Sequence, residues 1–522
     1  MEQMKKRLMP LATNGSMLRA PDMMMDSVSA SYRVTDGGTL NLMGQSCGEY
    51  NINEMGLERK KGSDDTAEGG ISRDVSYRCA SHEMLVFNTI GWGASSTVRK
   101  AIHIPHHRIV ALKKINAADR DKRQQLLKEI KTLCEAQHAT ANNGLVEFYG
   151  AFYAPDSGQV SIALEYMDGG SLADIVRVVK KIPEPILSKI TQKVLAGLSF
   201  LHQVRHLVHR DIKPANLLIN LNGEPKITDF GISAGLDNSV AMCATFVGTV
   251  TYMSPERINN EPYSFPADIW SLGLTLLECG TGIFPYNATT GPVNLMLQVM
   301  YDPSPTPPPD QFSPEFCDFV DACLRKDADS RPTAEQLLAH PFITKYQMDD
   351  RQLAEYVNSV FDPAQRLKDL SDMLTTHYYS LFDGSEAMFG FLKDLYRDES
   401  ALVVGGEPFT GQQTIYDAHC ELQRLLNKPD EKWVHVINSL ECCGYGDRGV
   451  MIRVTGNVAV GSQFTPANGT AGTADNGPGG PPPLEIRTGP VRGSFSELFV
   501  FEPSKEVLGS FWISRQETHL QL

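Results

Sequence analysis

The chain has 522 residues, 42% hydrophobic and 21% charged, the proportions of a globular protein with room for several domain-sized pieces. With 62 acidic against 48 basic residues its formal net charge is −14, which argues against nucleic acid or an anionic membrane as main partner. Ten scattered cysteines without a CxxC pair, and apolar runs far too short for a bilayer, point to a reducing interior, cytosolic, nuclear or both.

Residues 1–82 are rich in Ser, Gly, Asp and Met and show little periodicity, which predicts a mostly disordered leader. Lys5-Lys6-Arg7-Leu8-Met9-Pro10-Leu11 stands out within it as a basic cluster followed by spaced apolar residues. No long hydrophobic segment follows, so it is not a secretory signal. From His82 the texture changes. Met84 to Ile90 alternates, and Gly91-Trp92-Gly93-Ala94-Ser95-Ser96-Thr97-Val98 continues as a glycine turn and a second strand. Glycines at such a turn let backbone amides close over phosphates, although the turn alone reads equally as an ordinary hairpin. Val110-Ala111-Leu112-Lys113 is a later strand. Apolar residues at 126, 127, 130 and 133 then predict a helix over Arg123–Leu133, with Glu129 able to pair with Lys113.

Val160 to Met167, followed by Asp168-Gly169-Gly170-Ser171-Leu172, reads as a strand, a connection and a helix cap. A core helix is expected through Ile186 to Gln203. His202 and His206 invite a metal reading, but no ligand cluster accompanies them and helix-end packing is the better account. Then comes the densest chemistry, His209-Arg210-Asp211-Ile212-Lys213-Pro214-Ala215-Asn216, with Thr228-Asp229-Phe230-Gly231 thirteen residues after the Asn. Phosphoryl transfer from ATP needs a carboxylate to orient the attacking hydroxyl, cations against the phosphates, and oxygen ligands for Mg2+. Asp211 can accept the hydroxyl proton, Lys213 can lie on the transferring phosphate, and Asn216 and Asp229 can hold the metal. Farther on, Met253-Ser254-Pro255-Glu256 closes a long segment, Ala267 to Gly273 resembles the buried helix of a kinase large lobe, which implies that Asp268 faces the catalytic loop, and Arg331 can pair with Glu256.

HRDxKxxN followed by DFG resembles the catalytic and magnesium loops of protein kinases. That resemblance implies a nucleotide site formed by Ile90, Gly91, Gly93, Val98 and Ala111, with Lys113 on the α- and β-phosphates and aligned by Glu129. Leu164 would be the gatekeeper, and Glu165 and Met167 would offer backbone groups to the purine. Ser96 stands at the family's third glycine position, so that motif is incomplete. Residues 84–343 resemble a MAP kinase kinase. Lys213 in DIKPAN is the serine/threonine form of the loop. The narrower resemblance rests on Gly231-Ile232-Ser233, on Thr245-Phe246-Val247-Gly248-Thr249, and on the spacing of Ser239 from Thr245, which resembles the activation-loop pair of the plant members. The family implies ATP-dependent, dual-specificity phosphorylation of the Thr-x-Tyr loop of a MAP kinase, with activation at Ser239 and Thr245 by an upstream MAP kinase kinase kinase. In such a family the Lys5–Leu11 string would be a docking peptide for a MAP kinase, the alternative being the solvated start of a tail. Two competing readings are a scaffold that assembles a cascade, which needs none of the catalytic set, and an upstream kinase kinase kinase, which the Ser239/Thr245 spacing disfavours.

Beyond Asp349 the pattern shifts to helices: one holding Leu367, Leu370, Met373, Leu374, Tyr378 and Leu381, one holding Phe389, Leu392, Leu395 and Tyr396, and one over Thr414–Leu426. Strand-like runs follow at 433–437, 450–460, 495–501 and 507–514, interrupted by a Gly/Pro/Ala/Asn insert near 465–483 that reads as a disordered loop. Helices before a curved sheet resemble a nuclear transport factor 2-like cone spanning 350–522. The expected class is therefore α+β: leader 1–82, a bilobal kinase domain over 83–343, and this cone. A dimer through the cone's open sheet face, where Phe499, Phe501 and Trp512 could lie, is the accompanying expectation, the alternative being that these aromatics fill the cone's own core.

Overall fold

The computed structural model describes residues 31–60 (except 36 and 45–47), 75–93, 96–117, 126–134 (except 128), 144–229, 251–427 (except 263), 431–461 (except 447) and 488–522. The Lys5–Leu11 string, Ser239, Thr245 and the 465–483 insert lie outside these residues. Among the described residues no helix is long and apolar enough to cross a membrane.

The small kinase lobe is a five-stranded antiparallel sheet in the order β6-β7-β8-β10-β9, from β6 (Met84–Trp92), β7 (Ser96–His103), β8 (Arg108–Asn116), β9 (Phe148–Ala154) and β10 (Gln159–Glu165). Its register sets Lys113 across from Val98 on one side and Ile162 on the other, and Ala111 across from Leu164. The large lobe is helical. Its central helix, Pro266–Thr281, buries Trp270 completely and ends at Gly282, where φ is +77°. A Cβ there would sit 2.2 Å from the carbonyl oxygen of Lys180, so only glycine fits that close approach.

The leader departs from expectation. Residues β1 (Ser31–Val34), β2 (Leu40–Gly44), β3 (Gly48–Asn53), β4 (Gly56–Lys60) and β5 (Val75–Arg78) form an antiparallel meander in chain order. Leu40, Leu42, Tyr50, Ile52, Leu57 and Tyr77 are buried and join the kinase core. The Tyr77 ring meets Phe148 of β9 edge-on at 5.1 Å. Strands β2 to β5 each supply only one or two inward apolar side chains between Gly-, Asn- and Ser-rich turns, so composition alone reads as a tail. The order comes from packing on the kinase lobe. Ile52→Ala should therefore cost about 2–5 kcal/mol, read as a lowered midpoint in urea unfolding of the full chain. An unchanged midpoint would show that these strands do not belong to the folded unit.

The boundary at 350 also moves. The Asp350–Val360 helix buries Leu353 and Val357 in the kinase core, so the C-terminal domain begins at the Pro363–Phe382 helix. This helix and Gln412–Leu426 cover a six-stranded sheet in the order β14-β13-β18-β17-β16-β15. The strands are β13 (Ala401–Val404), β14 (Glu407–Thr410), β15 (Trp433–Tyr445), β16 (Gly449–Gly461), β17 (Thr488–Pro503) and β18 (Phe511–Gln521). All pairs are antiparallel except β13 with β18. Phe499 and Phe501 are fully buried with Tyr378 and Tyr396, and Trp512 lies under the Arg397 guanidinium at 4.7 Å. The aromatics expected on an open face thus fill the domain's own core or are covered. Leu85, Ile102, Ile104 and Ile109 of the small kinase lobe belong to this same core.

Candidate active site

Strand β8 delivers Lys113 to the cleft, and the helix over 126–134 delivers Glu129. The Lys113 Nζ donates to Glu129 Oε1 at 2.7 Å and to Asp229 Oδ1 at 2.8 Å. Lys113 and Glu129 are buried, whereas the Asp229 side chain keeps 35% of its surface open to the cleft. Burial disfavours the ammonium, but Glu129 and Asp229 outweigh it and hold the Lys113 pKa above its ordinary value. Burial pushes the Glu129 carboxyl up, with Lys113 opposing in part. Burial also acts to raise Asp229, but there Lys113 prevails and the carboxyl sits below the usual range.

The catalytic loop hangs on one buried carboxylate, Asp268 of the Pro266–Thr281 helix. Its Oδ2 accepts the His209 N–H at 2.8 Å and lies 2.9 Å from His202 Nε2, while its Oδ1 accepts the Arg210 N–H at 2.8 Å. Arg210 has φ +75°, a left-handed conformation that costs a non-glycine residue about 1–3 kcal/mol and needs such fixing. His202 also stacks on Phe265, so it is a packing residue. Among the described residues no cluster of three His, Cys, Asp or Glu stands ready for a metal. Beyond Arg210, Asp211 Oδ2 accepts Lys213 Nζ at 2.7 Å and Asn216 Nδ2 at 2.9 Å. His209 reaches the Thr228 carbonyl at 2.9 Å and the Thr228 N–H donates to the Asn216 carbonyl at 3.0 Å, tying the two motifs together. Asp229 then turns with φ +64°, which an aspartate tolerates better than most residues.

At the other end of the cleft, the Glu165 amide donates to the Glu147 carbonyl at 2.9 Å, and its carboxylate is held by buried Lys226 at 2.8 and 2.9 Å. Lys226 escaped sequence reasoning because a pair 61 residues apart leaves no local signal. Leu218 escaped it too. Leu217 and Ile219 are fully buried, so the alternation of β11 (Leu217–Ile219) turns half-buried Leu218 to the opposite side. Val98 and Ala111 are likewise half-buried, and Ile90 is exposed. Gly93 closes the glycine turn by donating to the Ser96 carbonyl at 2.8 Å. A Cβ on Gly93 would meet the Ser96 hydroxyl at 2.6 Å, a clash that a change of the serine rotamer relieves. Below the cleft, Arg331 forks onto Glu256 with two 2.8 Å bonds and bonds the Pro266 carbonyl at 3.0 Å, bracing the large lobe.

A cation gripped by two carboxylates from different lobes, next to a carboxylate held by a lysine and an asparagine, is an arrangement for handling phosphates. Family comparison agrees. Residues 85–343 match the model for the protein kinase domain and residues 370–467 that for the nuclear transport factor 2 domain. The full chain is 56% identical to mitogen-activated protein kinase kinase 3 of Arabidopsis thaliana, covering 100% of this chain and 99% of that relative. The chain belongs to the MAP kinase kinases. Mitogen-activated protein kinase kinase SIPKK of Nicotiana tabacum is 41% identical over 66% of this chain and 95% of its own length. Kinase kinase 1c of Physcomitrium patens is 45% identical over 54% of this chain and 82% of its own length. The first relative covers both domains of this MAP kinase kinase, whereas the Physcomitrium relative covers about half of the chain. As a protein kinase, this MAP kinase kinase uses ATP.

Proposed function

We propose that this MAP kinase kinase transfers the γ-phosphoryl group of ATP to the threonine and tyrosine of a MAP kinase Thr-x-Tyr loop, and is itself switched on at Ser239 and Thr245. The supporting observation is the assembled triad of Lys113, Glu129 and Asp229, which a purely scaffolding protein does not need. In this reading Asp211 takes the proton of the attacking hydroxyl as the new oxygen–phosphorus bond forms and the bond to the β-phosphate oxygen breaks, releasing ADP. Lys213 lies against the transferring group and Lys113 against the α- and β-phosphates. Glu165 and Met167 offer backbone groups to the purine, with Ile90, Gly91, Gly93, Val98 and Ala111 around it. The Asn216 amide nitrogen is occupied by Asp211, which leaves its oxygen, with the Asp229 carboxylate, as ligands for Mg2+. Two hard oxygens completed by water and phosphate suit that ion, which would offset the phosphates' charge.

Each phosphate at Ser239 and Thr245 would add about −1.5 to −2 charges and bring the loop toward the cations of the large lobe. The test is a phosphorylation assay against MAP kinases with a Thr-x-Tyr loop. The Ser239→Asp/Thr245→Asp protein is expected to raise basal activity, and the double alanine protein to resist every upstream kinase. Full activation of the double alanine protein overturns the switch, and no transfer to any such loop overturns the substrate. Pairing of two copies through the outer face of the C-terminal sheet also stays within this proposal. With Phe499 and Phe501 buried, such pairing rests on Ile437 and Tyr445, which are 40% and 44% exposed. Light scattering of the full chain reads it, and a monomer at high concentration ends it.

A further inference from the structure

We infer that the C-terminal domain is a strut across the kinase hinge, and that Leu370 and Arg448 act as positioning residues for the nucleotide site. The domain touches the kinase at three places: the small lobe, the hinge and the large lobe. At the small lobe its β17–β18 turn adds on to the start of β8. The Ile109 N–H donates to the Gly509 carbonyl at 3.0 Å, the Ser510 hydroxyl donates to the His106 carbonyl at 2.8 Å, and Arg108 and Ser510 form an antiparallel bridge. Beside it His107 Nδ1 and His377 Nε2 meet at 2.8 Å, both side chains buried. Ile104 and Ile109 sink into the domain's own core. This is a packed junction rather than a flexible tether.

At the hinge, Tyr166 stands between Glu165 and Met167, the two residues assigned to the purine. Its ring packs on the C-terminal core together with Leu367 and Leu370 of the Pro363–Phe382 helix, and Lys100 Nζ lies 4.8 Å above it. Asp369 and Arg366 of the same helix bear on the Tyr166 hydroxyl, whose pKa burial raises, with Asp168 and Asp369 adding to the effect. Arg366 donates to the Asn358 carbonyl at 2.9 Å, and its other terminal nitrogen is buried without a partner among the described residues. At the large lobe, Arg448 donates to the Leu221 carbonyl at 2.9 Å, and the Leu221 N–H in turn holds Asp168 Oδ1 at 2.8 Å. Asp168 directly follows Met167, so this chain of bonds ends one residue past the purine edge.

Kinase lobes open and close by rotation about this connection. A rigid body bonded to both lobes and packed on the hinge favours one opening over the others. A nucleotide that binds only that opening gains affinity in proportion to its population, and loosening the strut lowers the population. The inference rests on reading residues 165–167 as the purine edge, and goes beyond it by giving the C-terminal domain a role in nucleotide affinity.

The experiment uses the full chain with Leu370→Ala, Arg448→Ala and Arg448→Lys. KM for ATP, the dissociation constant of a fluorescent ATP analogue, kcat, KM for the MAP kinase substrate and thermal midpoint are measured. Arg448 lies at an exposed site, so its replacement leaves the fold in place even if Leu370→Ala does not. The expected result is a rise of about fivefold or more in KM for ATP and in the analogue's dissociation constant, with kcat and the substrate KM within about twofold, and recovery in Arg448→Lys. Unchanged or lowered ATP KM in folded variants overturns the strut. So does a parallel fall of all parameters with the thermal midpoint, the mark of a merely destabilised protein. If the parent chain itself fails to bind the analogue, the purine edge is misassigned, and that failure is distinguishable from the others.

Discussion

Lys113→Met should reduce phosphoryl transfer by about a thousandfold or more, the scale at which a cation placed on transferring phosphates acts. Methionine keeps the length and apolar stem of the side chain, so the loss isolates the charge. The structure adds a second consequence. Lys113 is shared by Glu129 and Asp229 at 2.7 and 2.8 Å, and without it two carboxylates face one another, one of them buried. Burial already raises the Glu129 carboxyl, and removal of the ammonium takes away its main opponent. A carboxyl whose pKa is higher folded than unfolded stabilises the fold while protonated, and that stability is lost as pH rises through the folded value. The variant should therefore melt close to the parent in mildly acidic buffer and fall behind it as pH rises. Kinase assays and melting curves at several pH values read both effects. Near-normal turnover would remove Lys113 from the chemistry, and a pH-independent gap in melting would remove Glu129 from the account.

Asp268→Ala is expected to be nearly as damaging, although the residue touches no substrate. It strands the His209 and Arg210 amides and His202 Nε2, all within 2.9 Å of its oxygens. Each unsatisfied buried group costs about 1–3 kcal/mol. The loop that carries Asp211 would also lose what holds Arg210 in its left-handed conformation, so kcat should fall by about a hundredfold or more. Asp268→Asn keeps one acceptor and should fall between. Burial acts to raise the Asp268 carboxyl, but His202, His209 and the Arg210 amide prevail and hold it below the usual range. A depressed folded pKa means that its stabilisation is full above the unfolded carboxyl value and fades as pH falls through the folded one. The gap in stability between parent and Asp268→Asn should accordingly close in strong acid. A wild-type kcat in the folded Asn and Ala variants would show that Asp211 needs no such anchor.

Much of the catalytic set was legible because the chemistry demands particular residues at short spacing: Asp211, Lys213 and Asn216 sit within one loop, and Asp229 follows soon after. The Lys113–Glu129 pair was legible because strand and helix periodicity aim both residues inward. What stayed hidden depends on distant parts of the chain. Lys226 holds Glu165 from another lobe's hairpin, and nothing near Pro225-Lys226-Ile227 announces a buried cation. The β1–β5 meander was hidden because four- to six-residue strands supply few apolar side chains each, and their shared face emerges only on the sheet. Whether Phe499 and Phe501 face outward or fill the cone's core stayed open in the sequence, and the structure puts them in the core. Period-two alternation says which residues share a face, but it does not say which face is covered.

That meander changes what counts as the kinase. The protein kinase match begins at residue 85 and ends at 343, and a fragment cut to those limits would look complete by sequence. It would also expose the surfaces now covered by Leu42, Tyr50, Ile52 and Tyr77 at one end and by Leu353 and Val357 at the other. It would shear the contact at Cys134, which lies beside the Tyr77 hydroxyl on the helix carrying Glu129. The packed unit is thus longer than the stretch that the kinase-domain model matches. A truncated preparation with weak activity would report a helix cut loose from its backing, not a feeble enzyme.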